Sequence, residues 1–430
     1  MLNLTGKTVA ILGAGRSGRA AADLALRCGA TVTVYDAGDV TAVPVGCDWV
    51  SQATPETGRE VSVDIVVTSP GIETGGEFVQ SFAEGSGALW GEIELAWRCY
   101  PGRTIGITGT NGKTTTTELV RELVKATGRT CVACGNYGVP LAEVVLSKEV
   151  PEVIALELSS FQLETIDAFK PDAVIWLNFS ADHMDRYSSL EEYRVAKMRI
   201  FRNCEETTPL VIRAGENLGE LTGQQVTFSS EEEADWSLRG EVVYQGKNPF
   251  IALSDTRLRG MHNAEDLMAA CAVVDGLTPE LAVNALKDYR PPAHRCELVG
   301  ILDGVEYLND SKATNLHALE SALRSQTRPT ILLAGGKEKG LDYQALAPLL
   351  SEKVIHLISY GEIGPSLSQS FSKQLPCQSV GTLRDAVKAA QEVAPRGSTI
   401  LLSPGTSSFD QFRGYEERGE AFRSLVLAIN

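Results

Sequence analysis

The stretch Gly109-Thr-Asn-Gly-Lys-Thr114 sets two glycines beside a lysine and a threonine, residue types that together can hold a phosphate. Glycines let backbone N–H groups close round an anion, and the N-terminus of a following helix adds partial positive charge. Lys113 would bring a point charge to β- and γ-phosphates, and Thr114 a hydroxyl to Mg²⁺. Further on, Glu157, Asn178, Asp182, His183 and Asp185 fall at or just beyond the ends of apolar, strand-like runs. A carboxylate and an imidazole beside a triphosphate suit hard-cation and phosphoryl chemistry. Taken singly, Glu157 reads as a helix-capping acid and His183 as a satisfied loop histidine; their clustering points to a site. Lys197, among Val195, Met198 and Phe201, reads most simply as a snorkelling lysine. A lysine on an apolar helix is also open to covalent chemistry.

The elements that must position these residues can be read around them. Thr104 to Thr108 is a β-branched run that predicts a buried strand. The glycine loop follows, and Leu119, Val120, Leu123 and Val124 recur at helical spacing, with Gly128 as the stop. The generic pattern G-x-x-x-x-G-K-[ST] asks for glycine at position 107, where this chain has Ile107. The alternative reading of the stretch is a glycine-rich strand–helix turn with an exposed lysine.

A second glycine loop, Gly13-Ala-Gly-Arg-Ser-Gly18, follows the apolar run Lys7 to Leu12. A helix from about Arg19 to Arg27 and a strand Thr31 to Tyr35 ending in Asp36 complete a βαβ unit. This is the context of a dinucleotide fingerprint, so local reading suggests NAD or NADP. Another strand, Val63 to Thr68, runs into Ser69-Pro-Gly71. Strands alternating with helices continue through Thr130 to Ala133, Val153 to Leu158 and Ala173 to Leu177. A helix is predicted over Leu190 to Phe201, a small polar β insert over Gln224 to Leu258, and a helix after Gly260-Met-His-Asn263. Beyond Pro291-Pro292, read as a stiff linker, strands end in Asn309-Asp-Ser-Lys-Ala-Thr-Asn315, Gly335-Gly-Lys-Glu-Lys-Gly-Leu-Asp342 and Ser403-Pro-Gly-Thr-Ser-Ser-Phe-Asp-Gln-Phe412. The fold class expected is α/β in three domains: Rossmann-like over 1–97, a P-loop-type central parallel sheet over 98–292, and Rossmann-like over 293–430.

The net charge of −16 over 430 residues argues against a nucleic-acid polymer as partner. Nine scattered cysteines, with one isolated Cys131-Val-Ala-Cys134, imply free thiols and a reducing compartment. No basic and apolar leader and no long apolar run is visible, so a cytoplasmic protein off the membrane is expected.

Thr108-Gly-Thr-Asn-Gly-Lys-Thr114 resembles the variant phosphate loop of the Mur ligases and folylpolyglutamate synthetases. Glu157-Leu-Ser-Ser160, Asp182-His-Met-Asp185, Lys197, Gly260-Met-His-Asn263, His294-Arg295 and Asn309 to Asn315 follow in Mur ligase order. About a hundred residues precede the loop, which sets the chain apart from folylpolyglutamate synthetases. The loop Ser403 to Phe412 is similar to that of the members that add D-glutamate to UDP-N-acetylmuramoyl-L-alanine, and the Asp-Asn-Pro-Arg motif of diaminopimelate-adding members is absent. The resemblance implies an ATP-dependent amide ligase working through an acyl phosphate and a tetrahedral intermediate. It implies Gly109, Thr110, Asn111, Gly112, Lys113, Thr114, Thr115, Asn263, Arg295 and Asp310 at ATP. It places Gly15, Arg16, Ser17, Asp36, Gly71, Asn136 and His183 at the UDP substrate, and Thr314, Lys339, Ser408 and Phe409 at D-glutamate. Two Mg²⁺ would be held by Thr114 and Glu157 and by His183 and a carbamylated Lys197. Lys113, His183 and Lys197 would be catalytic, Lys312 supporting, and the chain a monomer. Asp266 stands where the family has an adenine-facing asparagine, and a carboxylate cannot donate to a ring nitrogen. A Mur-family ligase for another amino acid, or a nicotinamide-dependent oxidoreductase, are the alternatives.

Overall fold

Three parallel-dominated sheets carry the chain, and their central strands are buried apolar runs. The computed structural model describes residues 2–184, 186–290 and 293–429. The expected linker Pro291-Pro292 and the site candidate Asp185 lie outside the described residues.

The first sheet comprises β1 (Thr8–Leu12), β2 (Thr31–Tyr35), β3 (Asp48–Val50), β4 (Ile65–Thr68) and β5 (Ala88–Gly91), in the order β3-β2-β1-β4-β5. All its pairings are parallel. Strand order reverses at β1 and β4, so the loops after them, Gly13 to Gly18 and Ser69 to Gly71, flank the crevice where such sheets take ligands. The helix Arg16–Arg27 starts three residues earlier than the alanine pattern alone suggests, because Gly15 is its N-cap.

The second sheet comprises β6 (Arg103–Thr108), β7 (Cys131–Gly135), β8 (Val153–Glu157), β9 (Ala173–Trp176), β10 (Pro209–Arg213), β11 (Gln224–Ser229), β12 (Trp236–Arg239), β13 (Val242–Gln245) and β14 (Asn248–Ala252). Its order is β14-β13-β12-β11-β10-β9-β6-β8-β7. The segment expected as a small polar β insert forms strands that extend this sheet: β11 pairs parallel with β10, and β12 with β11. Asp235 accepts from the backbone and hydroxyl of Thr227, both at 2.8 Å, which ties the turn between those strands. The helix expected over Leu190 to Phe201 is α-helical only over Leu190–Met198 and tightens to a 3-10 turn at Arg199–Phe201.

These two sheets belong to one compact unit, comprising residues up to Phe179, His183–Ile251 and Asp266–Leu286. One apolar core runs through it, from Val9 and Ile11 to Ile154, Leu156 and Trp176. Glu94 is fully buried there and accepts from the backbone N–H groups of Asp167, Ala168 and Phe169 and from Arg98. A buried carboxylate is tolerated because every lone pair has a donor.

The other unit comprises Ser180–Asp182, Ala252–Glu265 and the chain from Lys287 onward. Its sheet holds β15 (Glu297–Leu302), β16 (Val305–Asn309), β17 (Thr330–Gly335), β18 (Val354–Tyr360), β19 (Cys377–Val380) and β20 (Thr399–Leu402), in the order β15-β16-β20-β17-β18-β19. Among the described residues of this sheet, only the hairpin β15–β16 is antiparallel. No helix among the described residues is long and apolar enough to cross a membrane.

Candidate functional site

The phosphate loop sits between β6 and the helix Lys113–Ala126. Its two glycines adopt backbone angles that other residues avoid, with φ of 152° at Gly109 and 88° at Gly112. A Cβ at Gly109 would meet the Leu177 side chain at 2.9 Å, and one at Gly112 would meet Asp266 Oδ1 at 2.2 Å. Asn178, at the end of β9, braces the loop: its carbonyl accepts from Thr110 N, its side-chain oxygen from Asn111 N, and its amide donates to Asn111 O. Lys113 Nζ folds back to donate to the carbonyls of Gly109 at 2.9 Å and Thr110 at 2.8 Å. Thr114 and Thr115 are buried in the first helical turn.

Lys197 reaches the same loop. The helix Leu190–Met198 buries Tyr193, Ala196 and Lys197 on one face, as positions three and four apart must lie. The lysine is 2% exposed, so its ammonium does not snorkel to water as the simplest sequence reading had it. Nζ donates to Gly109 O at 2.8 Å and lies 4.9 Å from the Tyr193 ring centre. The Tyr193 hydroxyl is 3.4 Å from Thr110 Oγ1. Tyr193 is a support that no local motif announces, whereas Asn178 is one of the strand-end residues the sequence singles out.

Glu157 ends β8, beside β6. Oε1 accepts from Asn136 Nδ2 at 2.8 Å, whereas Oε2 is buried without a hydrogen-bond partner among the described residues. That oxygen fits a hard cation, which prefers carboxylate and phosphate oxygens to a full cage of side chains. Among the described residues no three His, Cys, Asp or Glu side chains gather as a metal-binding set. His183 has a left-handed backbone, φ 56°, and its ring packs edge-on against Phe161 at 5.0 Å and Tyr193 at 5.9 Å. A non-glycine residue in that region marks local strain held by its surroundings. Arg186 stacks on Phe161 and donates to Ile72 O at 3.1 Å, tying this segment to the loop carrying Gly71.

In the first glycine loop, a Cβ at Gly18 would stand 1.8 Å from Gly13 O, so the helix start can close on the turn only as glycine. Asp36 accepts from Ala14 N at 2.7 Å and Gly38 N at 2.8 Å, holding the loop to the end of β2. Arg16 is paired in bidentate fashion with Glu143, and Gly15 and Ser17 stand at the helix start beside it.

The candidates of the other unit lie at its strand ends and in the segment before its sheet. Asp310 is buried, accepts from Ser403 Oγ at 2.8 Å and Cys296 N at 3.2 Å, and is pushed up to about 6 by burial despite the nearby Arg295. Asn263 is 2% exposed, with Nδ2 on Arg259 O at 2.7 Å and Oδ1 unpartnered among the described residues. Burial beside Arg295 and His317 holds the neighbouring His262 down to about 3. Thr314 precedes Asn315, which caps the helix Leu316–Arg324 and donates to Asp182 at 2.9 Å. Lys339 Nζ lies 3.9 Å from the same Asp182. Ser408 is buried, whereas Phe409 is 69% exposed.

Comparison with known proteins gives these features a family. Residues 107–274 match the Mur ligase middle domain, and 294–405 the Mur ligase glutamate ligase domain. The UDP-N-acetylmuramoylalanine–D-glutamate ligase of Desulfitobacterium hafniense is 37% identical over 99% of this chain and 98% of its own length. That of Geobacter metallireducens is 36% identical over 100% of this chain and 99% of its own. Among solved structures, UDP-N-acetylmuramate–alanine ligase from Thermotoga maritima has a TM-score of 0.62 at 17% identity, covering 99% of this chain and 100% of that one. The MurF ligase of the same organism, in complex with ADP, has a TM-score of 0.61 at 15% identity, covering 100% of this chain and 96% of that one. Nothing in these relatives supports the nicotinamide alternative. The chain belongs to the Mur ligase family.

Proposed function

We propose that the chain joins D-glutamate to the L-alanyl carboxylate of UDP-N-acetylmuramoyl-L-alanine, driven by ATP, in the making of peptidoglycan precursors. The observation that carries this is the braced phosphate loop with Lys113 and Lys197 on one carbonyl, in a chain that aligns end to end with D-glutamate ligases. A carboxylate is a poor electrophile towards an amine. Transfer of the γ-phosphoryl group to it gives an acyl phosphate and ADP. The D-glutamate amine then attacks the acyl carbon, a tetrahedral intermediate forms, and phosphate leaves with the oxygen it received. Charge develops on phosphoryl and carbonyl oxygens, so fixed N–H groups and cations supply most of the acceleration.

In this reading Gly109 to Thr115 hold the triphosphate and Lys113 its β- and γ-oxygens. Asn263, Arg295 and Asp310 hold the nucleoside, with Asp310 accepting from the ribose. Gly15, Arg16, Ser17, Asp36, Gly71 and Asn136 hold the UDP substrate, and Thr314, Lys339, Ser408 and Phe409 the amino acid. Thr114 and Glu157 would hold one Mg²⁺, and His183 with a carbamylated Lys197 a second. Bound Mg²⁺ would neutralise charge on the phosphoryl oxygens. The unpartnered Glu157 oxygen supports the first site. We assign the domains as 1–97, 98–292 and 293–430, on the three sheets. We also place the protein in the cytoplasm as a monomer; its nine free cysteines suit a reducing compartment.

The reading is tested with substrate carrying ¹⁸O in the L-alanyl carboxylate. One ¹⁸O should appear in the released phosphate by mass spectrometry, and unlabelled phosphate would contradict the acyl phosphate.

A further inference from the structure

Arg418 lies in the helix Tyr415–Leu427 and is fully buried. Its Nε donates to Ser311 Oγ at 3.0 Å, and Nη2 to the carbonyls of Ser311 at 2.9 Å and Thr406 at 3.1 Å. Ser311 belongs to the loop after β16, and Thr406 to the loop after β20, the adjacent strand. Thr406 Oγ1 in turn donates to Lys337 O at 2.6 Å, and Lys337 N to Ser407 O at 2.9 Å. Lys337 belongs to the loop after β17, the strand on the other side of β20. A Cβ at Gly336 would lie 3.2 Å from Arg418 Nη1 and 2.3 Å from Ser407 O, so that loop packs directly on the guanidinium.

We infer that Arg418 is a positioning residue that sets the relative placement of these three loops. The inference rests on the proposed roles of Asp310 and Thr314 in the first loop, Lys339 in the second, and Ser408 and Phe409 in the third. An apolar side chain could fill the same volume without the desolvation cost of a buried guanidinium. A planar fork with fixed donor directions does what a filler cannot: it joins the hydroxyl and carbonyl of Ser311 in one loop to the carbonyl of Thr406 in another, in one geometry. A lysine retains the charge but presents its donors from a single flexible point.

The test compares Arg418→Lys with the parent full-length enzyme in steady-state kinetics, with folding followed by circular dichroism. The expected result is a KM for D-glutamate raised about tenfold, a smaller rise for ATP, and a KM for the UDP substrate within twofold. A general loss of folded protein would lower kcat without that split. Should Arg418→Lys fail to fold, Ser311→Ala removes one acceptor and leaves the arginine; it should raise the KM for D-glutamate about threefold. A folded Arg418→Lys with unchanged KM for D-glutamate would overturn the inference, as would an unchanged KM in Ser311→Ala. Ser408→Ala separates the two levels of the argument. If it raises the KM for D-glutamate while Arg418→Lys does not, only the positioning role falls. If it leaves that KM unchanged, the assigned pocket falls and the inference with it.

Discussion

Lys197 Nζ donates to the carbonyl oxygen of Gly109 across 2.8 Å, and Lys113 Nζ donates to the same oxygen at 2.9 Å. The shared carbonyl places both lysine side chains at the loop proposed to hold the triphosphate. Reaction of the Lys197 amine with CO₂, losing a proton, would give a carbamate and turn one cation into an oxygen ligand. Lys197→Ala should therefore lose activity by a factor of a hundred or more, with partial recovery in acetate or formate. Full activity without additive would remove Lys197 from the proposed chemistry, and loss without recovery would remove the carbamate.

Gly18→Ala should be severe for a steric reason. Its Cβ would stand 1.8 Å from Gly13 O, which forces the helix start away from β1. Overpacking of this kind costs about 1–3 kcal/mol or more. The variant should show a lowered melting temperature and a KM for the UDP substrate raised at least tenfold. Normal binding at normal stability would mean the loop is not the diphosphate cradle.

Glu92 gives a pH signature in stability. It is 3% exposed, accepts from Ala142 N at 2.6 Å, and burial with Glu143 nearby pushes it from 4.5 up to about 7. The folded state then keeps its proton between those values while the unfolded chain releases it. Stability attributable to this group falls as pH rises through that window, by at most roughly 3 kcal/mol. Glu92→Gln keeps the acceptor and removes the charge. In urea denaturation it should gain on the parent progressively from pH 5 to pH 8, and a pH-independent difference would refute this.

Asp310 gives a signature in binding. Its value of about 6 means that mild acid protonates it and weakens it as an acceptor for the ribose. The KM for ATP should rise as pH falls through about 6. Asp310→Asn should raise that KM several-fold at neutral pH and flatten the acid rise; a variant with the parent profile would exclude Asp310 from the nucleotide.

The legible parts of this site are the local ones. The phosphate loop could be placed between its strand and helix because Gly109 and Gly112 need φ of 152° and 88°, and the apolar spacing after them is helical. The first glycine loop was legible for the same reason, although its ligand class was not: the residues permit close approach to a phosphate and say little about what carries it. The strands from Gln224 to Ala252 read only as a small β insert because each is short and polar; their pairing onto Pro209–Arg213 is a choice made in the fold. The contact between Lys197 and Gly109 spans 88 positions, and that between Arg418 and Ser311 spans 107. No periodicity encodes such pairs, which is why Tyr193 and Arg418 emerge only from the fold.

The central claim is most directly tested by phosphate release from ATP in the presence of UDP-N-acetylmuramoyl-L-alanine and a panel of amino acids. D-glutamate should stimulate release at least a hundredfold over L-glutamate or meso-diaminopimelate, with a product heavier by one glutamyl residue. Equal release with those competitors, or none with D-glutamate, would contradict the account.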